Sequence, residues 1–284
     1  MKADIYRSVT DSIIEQLEKG AAPWVKPWKA DSTADKNATT GKAYSGINRL
    51  ILGMTGLAKG YDSGLWATYD QWATLGGQVR KGEKAAQGVF FTPCAIKKNE
   101  AGEVESMYKL LKPFWVFNAN QVDGITVTKP EEPAKPFEIA ERAEHRIAST
   151  GAIITHGGDA AFYMPSVDAI KMPNRSAFES PSYYYATAFH ELTHWTGAKH
   201  RLDRNLSGKF GNPLYAFEEL VAEIGAAYLC ADYQIQGELR HAGYIGNWLK
   251  ACRDDKTAIF KAAALAQKAA DYINNLNVQE AIAA

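Results

Sequence analysis

The chain has 284 residues, 46% of them hydrophobic and 23% charged, with a formal net charge of zero. That balance belongs to a folded, water-soluble protein of one large or two ordinary domains and excludes a mostly disordered chain. No run approaches the ~20 apolar residues of a membrane span, and the odd, scattered Cys94, Cys230 and Cys252 exclude a disulfide frame or thiolate metal site.

The N-terminus has no apolar signal core, so a cytoplasmic location is expected, with no membrane partner. A first helix is expected from a cap at Asp4 or Ser8, with Ile5, Val9, Ile13, Ile14 and Leu17 at helical spacing and Gly20 as its stop. A proline- and tryptophan-bearing segment, Pro23 to Lys29, and a polar loop from Asp31 to Thr40 follow. Further helices are expected near 48–54 and 69–75. Strands are expected at 88–93 and 112–118, with a polar hairpin turn over 97–104. The stretch 126–136, TVTKPEEPAKP, carries three prolines and four charges and reads as a semi-rigid linker. Beyond it the pattern predicts a helix over 138–149 and short strands at 153–156, 162–164 and 167–172. Long helices are predicted over 182–196 and 213–233, with an alanine-rich helical tail over 256–275. The expected architecture is α+β in two domains: residues 1–126, a linker over 127–136, and residues 137–284. The first 126 residues carry a formal charge of +3 and the remainder −3, a mild bias compatible with phosphate contacts.

His190-Glu191-Leu192-Thr193-His194 is an HExxH pattern. Two histidines four residues apart share one helix face, so both imidazoles can hold one cation. Glu191 is then placed to move protons for water attacking a peptide bond. Tyr183, Tyr184, Ala186, Ala188 and Phe189 precede the motif at helical, apolar spacing, which sets it apart from a chance match. Two candidates compete for the third ligand. The string HELTHWTGAKH fits HExxHxxGxxH, with His200 as the ligand, but such sites also need a downstream methionine turn and the last methionine here is Met172. The alternative is Glu219, with Glu223 one turn on supporting a ligand histidine, both on a largely apolar helix where a buried acid needs a partner. Glu219 is preferred, and a His-His-Glu set favours zinc, with another divalent transition metal as the alternative.

The strings HELTHWTGAKHRLDR, YAFEELVAEIGAAYL and HAGYIGNWL resemble the metallopeptidase domain of ArdC-type antirestriction proteins. PWVKPW, YSGINRLIL, GLWATYDQW, VRKGEK and VFNANQVDG resemble the same family's single-stranded-DNA-binding domain, which also occurs in plasmid primase-like proteins. Together they cover most of residues 5–250. The family often has histidine after Trp-Thr-Gly; here it is Ala198. The resemblance implies a plasmid-encoded bacterial protein acting in the recipient cell during conjugation. It would bind single strands non-specifically and shield incoming DNA from restriction. Host restriction proteins, or another peptide, are the candidate substrates. His241 or Tyr244 is a candidate oxyanion donor, and residues 168–173 are a candidate edge strand for a peptide.

Single strands are held by aromatic platforms within a cationic groove. The candidate DNA contacts are Trp24, Lys26, Trp28, Lys29, Tyr44, Asn48, Arg49, Trp66, Trp72, Arg80, Lys81, Lys84, Asn118 and Gln121. Trp66, Trp72 and Trp115 also have apolar neighbours, which would suit the core.

Overall fold

The computed structural model describes residues 4–19, 35–98, 104–126, 136–207, 212–235 and 245–276, with the backbone alone at 93–98, 104–109, 136, 137 and 247. Trp24, Lys26, Trp28, Lys29, the segment 127–135, His241 and Tyr244 lie outside the described residues.

Helix α1 (Ile5–Glu18) is capped by Asp4, whose carboxylate accepts the Arg7 amide at 3.2 Å, and it buries Val9, Ile13 and Leu17. Strand β1 (Lys36–Asn37) and helix α2 (Ile47–Lys59) follow; the helix ends at Gly60, whose φ of 66° is the left-handed cap glycine adopts freely. Next come β2 (Leu65–Ala67), α3 (Tyr69–Thr74) and β3 (Gln78–Val79). The hairpin strands are β4 (Ala86–Lys98) and β5 (Val104–Asn118), and β6 (Val122–Asp123) pairs with β3. The main sheet has the order β1-β2-β5-β4. Its hairpin is longer than the alternation predicts. Pro93 and Pro113 look like strand breakers in the sequence, yet β4 is an edge strand and β2 pairs with β5 only at 117 and 118, so neither proline interrupts a ladder on both sides.

The C-terminal part opens with α4 (Pro136–Ser149) and a three-stranded sheet of β7 (Ile153–His156), β8 (Phe162–Met164) and β9 (Ala169–Met172) in the order β7-β9-β8. The expectation of an edge strand at 168–173 is corrected. β9 is the central strand, parallel to β7 and antiparallel to β8, so among the described residues β8 is the edge. Asp168 closes the intervening turn at a φ of 49° and takes the Tyr163 hydroxyl and the Arg201 guanidinium. Helices α5 (Pro181–Trp195), α6 (Pro213–Tyr233), α7 (Ile245–Asp254) and α8 (Ala258–Asn275) complete the chain.

The two parts share one core. Val9, Ile13 and Leu17 of α1 and Leu50 and Met54 of α2 join Leu192, Leu220, Ile224, Trp248 and Ile259 in a single buried cluster. Arg49 belongs to this junction, which corrects its assignment as a DNA contact. Its guanidinium donates to the Tyr228 carbonyl at 3.0 Å and to Asp232 at 2.8 Å, and lies 4.4 Å from the centre of the Tyr228 ring. The Tyr228 hydroxyl donates back to the Gly46 carbonyl at 2.8 Å.

Candidate functional site

Helix α5 starts from a Ser180 cap with Pro181 in its first turn, where a missing amide costs nothing. His190 and His194 then fall on one face. Helix α6 starts from Asn212 and Pro213 in the same manner and runs for 21 residues with Glu218, Glu219 and Glu223 all buried. Three buried carboxylates on an apolar helix require partners. The two helices meet closely at Gly225. A Cβ there would lie 2.6 Å from Cγ2 of Thr193, a fully buried side chain whose hydroxyl is bonded to the Phe189 carbonyl. Glycine at 225 therefore sets the helix spacing that brings acids and imidazoles together.

The result is a compact set of donors. The Nε2 atoms of His190 and His194 are 3.2 Å apart; Glu219 Oε1 is 3.3 Å from His194 Nε2, and its Oε2 is 3.6 Å from His190 Nε2. Ligand atoms 2.0–2.2 Å from a tetrahedral ion lie roughly 3.3–3.6 Å from one another. The 3.2 Å between the imidazole nitrogens is close to that spacing, and Glu219 faces both imidazoles with its two oxygens, so the three residues fit a small divalent cation. His190, His194 and Glu219 are the set whose ligand atoms fall within 4.8 Å of one another among the described residues. His200 lies elsewhere: its imidazole is mostly exposed and sits 3.3 Å from Asp168, beside Arg201.

Each imidazole is braced from behind. Glu223 Oε1 is 3.5 Å from His190 Nδ1, and Glu218 Oε1 is 3.2 Å from His194 Nδ1. The Glu218 hydrogen bond on Nδ1 of His194 fixes the tautomer that turns its Nε2 toward a cation, while Glu223 stands behind His190 as a charge partner. Glu218 is itself gripped by Arg204, which donates to its two oxygens at 2.8 and 3.1 Å, to the Thr196 hydroxyl at 2.8 Å and to the Thr193 carbonyl at 2.5 Å. Gly197 is the residue beneath this arginine; a Cβ there would meet Arg204 at 3.0 Å and Leu206 at 2.9 Å. The sequence reasoning missed Glu218 and Arg204. The signal was present as a third acid beside Glu219 on the same apolar helix.

The electrostatics follow from that packing. Burial alone would push His194 down, but hydrogen bonds to Glu218 and Glu219 outweigh it and raise the imidazole to about 10 in the metal-free protein. His190 is likewise raised by Glu219 and Glu223 against burial. Burial would raise Glu219; the two imidazoles instead hold it well below the usual carboxylate range. A cluster that attracts positive charge this strongly suits a cation. Glu191 is buried beside it, and both line a cavity of about 420 Å³ with an apolar side formed by Phe162, Pro165, Leu206 and Leu214. Phe162 belongs to the edge strand β8.

The other candidate DNA contacts separate into buried and exposed. Trp66 is fully buried, with its Nε1 donating to Asp35 at 2.8 Å; Trp72 is buried, donating to the Phe117 carbonyl at 2.9 Å. Neither ring is available to a base, which corrects both assignments. Asn48 spends its amide on both backbone groups of Val89, at 2.8 and 2.9 Å. Buried Asn118 and Gln121 cap and brace the turn between β5 and β6, Gln121 donating to Glu83 and the Lys84 carbonyl. These three are structural, not ligand-facing. Arg80 is tied to Glu83 at 2.9 Å and Asp123 at 3.3 Å. Lys81 and Lys84 are exposed, and Tyr44 is half-buried against Phe114. Among the described residues the exposed rings of this region are instead Trp115, Tyr69, Phe90 and Phe91.

Two family comparisons divide the chain. Residues 3–117 match the N-terminal domain of the anti-restriction factor ArdC, and residues 141–265 match a zincin-like metallopeptidase family. The crystal structure of the antirestriction ArdC protein from plasmid R388, in metal-free form, superposes with a TM-score of 0.81 at 42% identity, covering 99% of this chain and 98% of that one. The chain belongs to the ArdC antirestriction family. The Mn(II)-bound crystal form of R388 ArdC superposes with a TM-score of 0.78 at 41% identity. The uncharacterized protein y4eC of Sinorhizobium fredii (strain NBRC 101917 / NGR234) is 43% identical over 95% of this chain and 92% of its own length. A DNA primase, TraC of Escherichia coli, is 41% identical over 96% of this chain, which spans 20% of that longer protein. The mixed helix and strand fold is that of ArdC, with a zincin-like C-terminal domain. Among the described residues no helix is long and apolar enough to cross a membrane.

Proposed function

We propose that this protein binds single-stranded DNA through residues 1–126 and shields incoming plasmid DNA from restriction in the recipient bacterium. The C-terminal part acts as a metal-dependent peptidase. The convergence of His190, His194 and Glu219, one ligand atom of each within 4.8 Å of the others and Glu191 lining the same cavity, is the observation that carries the peptidase reading. These three residues would hold a divalent cation, zinc by donor type, with manganese supported by the Mn(II)-bound relative. A cation held there supplies a Lewis acid that activates water at neutral pH and polarises a peptide carbonyl.

The remaining work falls to the chain itself. Glu191 accepts a proton from the attacking water and delivers it to the departing amine. Glu218 keeps the His194 imidazole in the productive tautomer, Glu223 stands behind His190 as a charge partner, and Arg204 keeps Glu218 ionised. The apolar side of the cavity receives a substrate side chain, and β8 offers its free edge to an extended peptide. His241 and Tyr244 remain the proposed oxyanion donors. The positive N-terminal part and the primase relatives support contact with DNA.

A second reading makes host restriction proteins the substrate and the N-terminal part a targeting device. Glu191→Gln separates the two. It leaves metal and DNA binding intact and lowers peptide hydrolysis by about 10²- to 10⁴-fold. If protection of transferred DNA persists in the variant, shielding is the principal activity. If protection disappears with cleavage, the restriction-protein reading replaces it.

A further inference from the structure

We propose that single-stranded DNA lies along the rings of Tyr69, Phe117 and Trp115, with its phosphates held by Lys81 and Lys84. This rests on the reading that the chain binds single strands, and it locates the contact.

Strand alternation puts Trp115 and Phe117 on one face of β5, opposite Phe114 and Val116. Phe117 pairs with Ala67 at the end of β2, and the chain then turns through Thr68 to Tyr69. The Tyr69 and Phe117 ring centres are 6.5 Å apart. Trp115 is 55% exposed and Tyr69 50%, more than the exposed phenylalanines on the hairpin. Neither is a loose surface ring. Tyr69 opens α3 behind the reciprocal cap of Thr68 and Gln71, and its hydroxyl accepts from Gln78 at 3.0 Å. Trp115 stands in the ladder opposite Gln87. Tyr69 and Phe117 also line a cleft of about 560 Å³ that reaches Arg80 and Lys81.

The cleft's own charges cancel, Arg80 and Lys81 against Glu83 and Asp123, and exposed Lys84 on the same loop tips the balance positive. Arg80 pairs with both Glu83 and Asp123, while Lys81 and Lys84 make no ion pair among the described residues. Gly82, at a φ of 90°, turns the loop between them. Residues 86–92 and 110–118 contain no acid. The exposed rings of Trp115 and Tyr69, with half-buried Phe117 between them and the core, near lysines that make no ion pair are what sequence-tolerant recognition of unstacked bases requires. A protein partner seeking an apolar patch would gain nothing from the lysines.

Binding of labelled oligothymidine by the full chain tests this. Trp115→Ala and Tyr69→Ala each weaken affinity about tenfold, and Trp115→Phe restores most of it. Lys81→Ala with Lys84→Ala lowers the slope of log affinity against log salt by about 1.4. Phe90→Ala, an exposed ring on the opposite hairpin face, binds like the parent. If the parent binds and both aromatic variants bind equally well, or Phe90→Ala loses as much as they do, the rings serve a protein contact and the proposal fails. The lysine pair decides the matter if Trp115→Ala does not fold. A parent that binds no single strand at all sinks the underlying reading instead.

Discussion

The helix pair α5–α6 and the hairpin β4–β5 use the same residue types for opposite ends. In the helix pair, charged side chains are buried and each has a named partner: His190 with Glu223, His194 with Glu218, Glu218 with Arg204. In the hairpin region a large ring, Trp115, is left in solvent while Trp66, one strand away, is sealed in the core against Asp35. Buried charge and exposed aromatic surface are both costly for a fold, and both lie where chemistry or recognition is proposed. Their physics differs. The buried set is a rigid network that fails when one member goes, whereas the exposed set can lose a ring with little effect on stability.

The contrast can be broken most severely at the two tryptophans. Trp66→Ala empties a fully buried site and removes the indole donor from Asp35, so a loss of about 3–5 kcal/mol in denaturant unfolding is expected. Trp115→Ala should change the same measurement by less than about 0.5 kcal/mol. Equal losses would mean that the exposed ring is structural.

Next in size is the junction between the two parts. Arg49→Ala removes a donor from the Tyr228 carbonyl and one of two from Asp232, which keeps Asn274 at 3.0 Å, at a cost of about 1.5–3 kcal/mol, since the guanidinium is buried while Asp232 is partly solvated. A variant of undiminished stability that lost DNA affinity would restore Arg49 to the DNA surface. Gly225→Ala should cost about 1–3 kcal/mol by forcing α6 away from Thr193, and should weaken metal binding as well. The smallest effect sharpens the comparison within the metal centre. Glu218→Gln keeps the shape but removes the charge behind His194, and metal affinity should fall about 10- to 100-fold, with a loss of stability as well because buried Arg204 loses its carboxylate.

Much of the helix pair was legible in the sequence because its information is local. His190 and His194 share a face by spacing alone, and the apolar run around Glu219 and Glu223 announces that these acids are buried. Which carboxylate meets which imidazole was not legible, since it depends on how closely α5 and α6 pack at Gly225. Glu218 was overlooked for that reason. The hairpin resisted reading for a different cause. Strand parity says that Trp115 and Val116 face opposite ways, but not which face is covered. The cover over Trp66 and Trp72 comes from segments distant in sequence, among them Asp35 and β5, and no periodicity reports it. The short strands β1, β2, β3 and β6 were likewise missed, because two or three residues make no pattern, and so was the helix α7.

Calorimetric titration of the metal-free protein with zinc and with manganese tests the central claim most directly. One cation per chain should bind, with affinity reduced roughly 100-fold or more in His190→Ala, His194→Ala and Glu219→Gln and unchanged in His200→Ala. Undiminished binding by Glu219→Gln, or its loss in His200→Ala, would contradict the account.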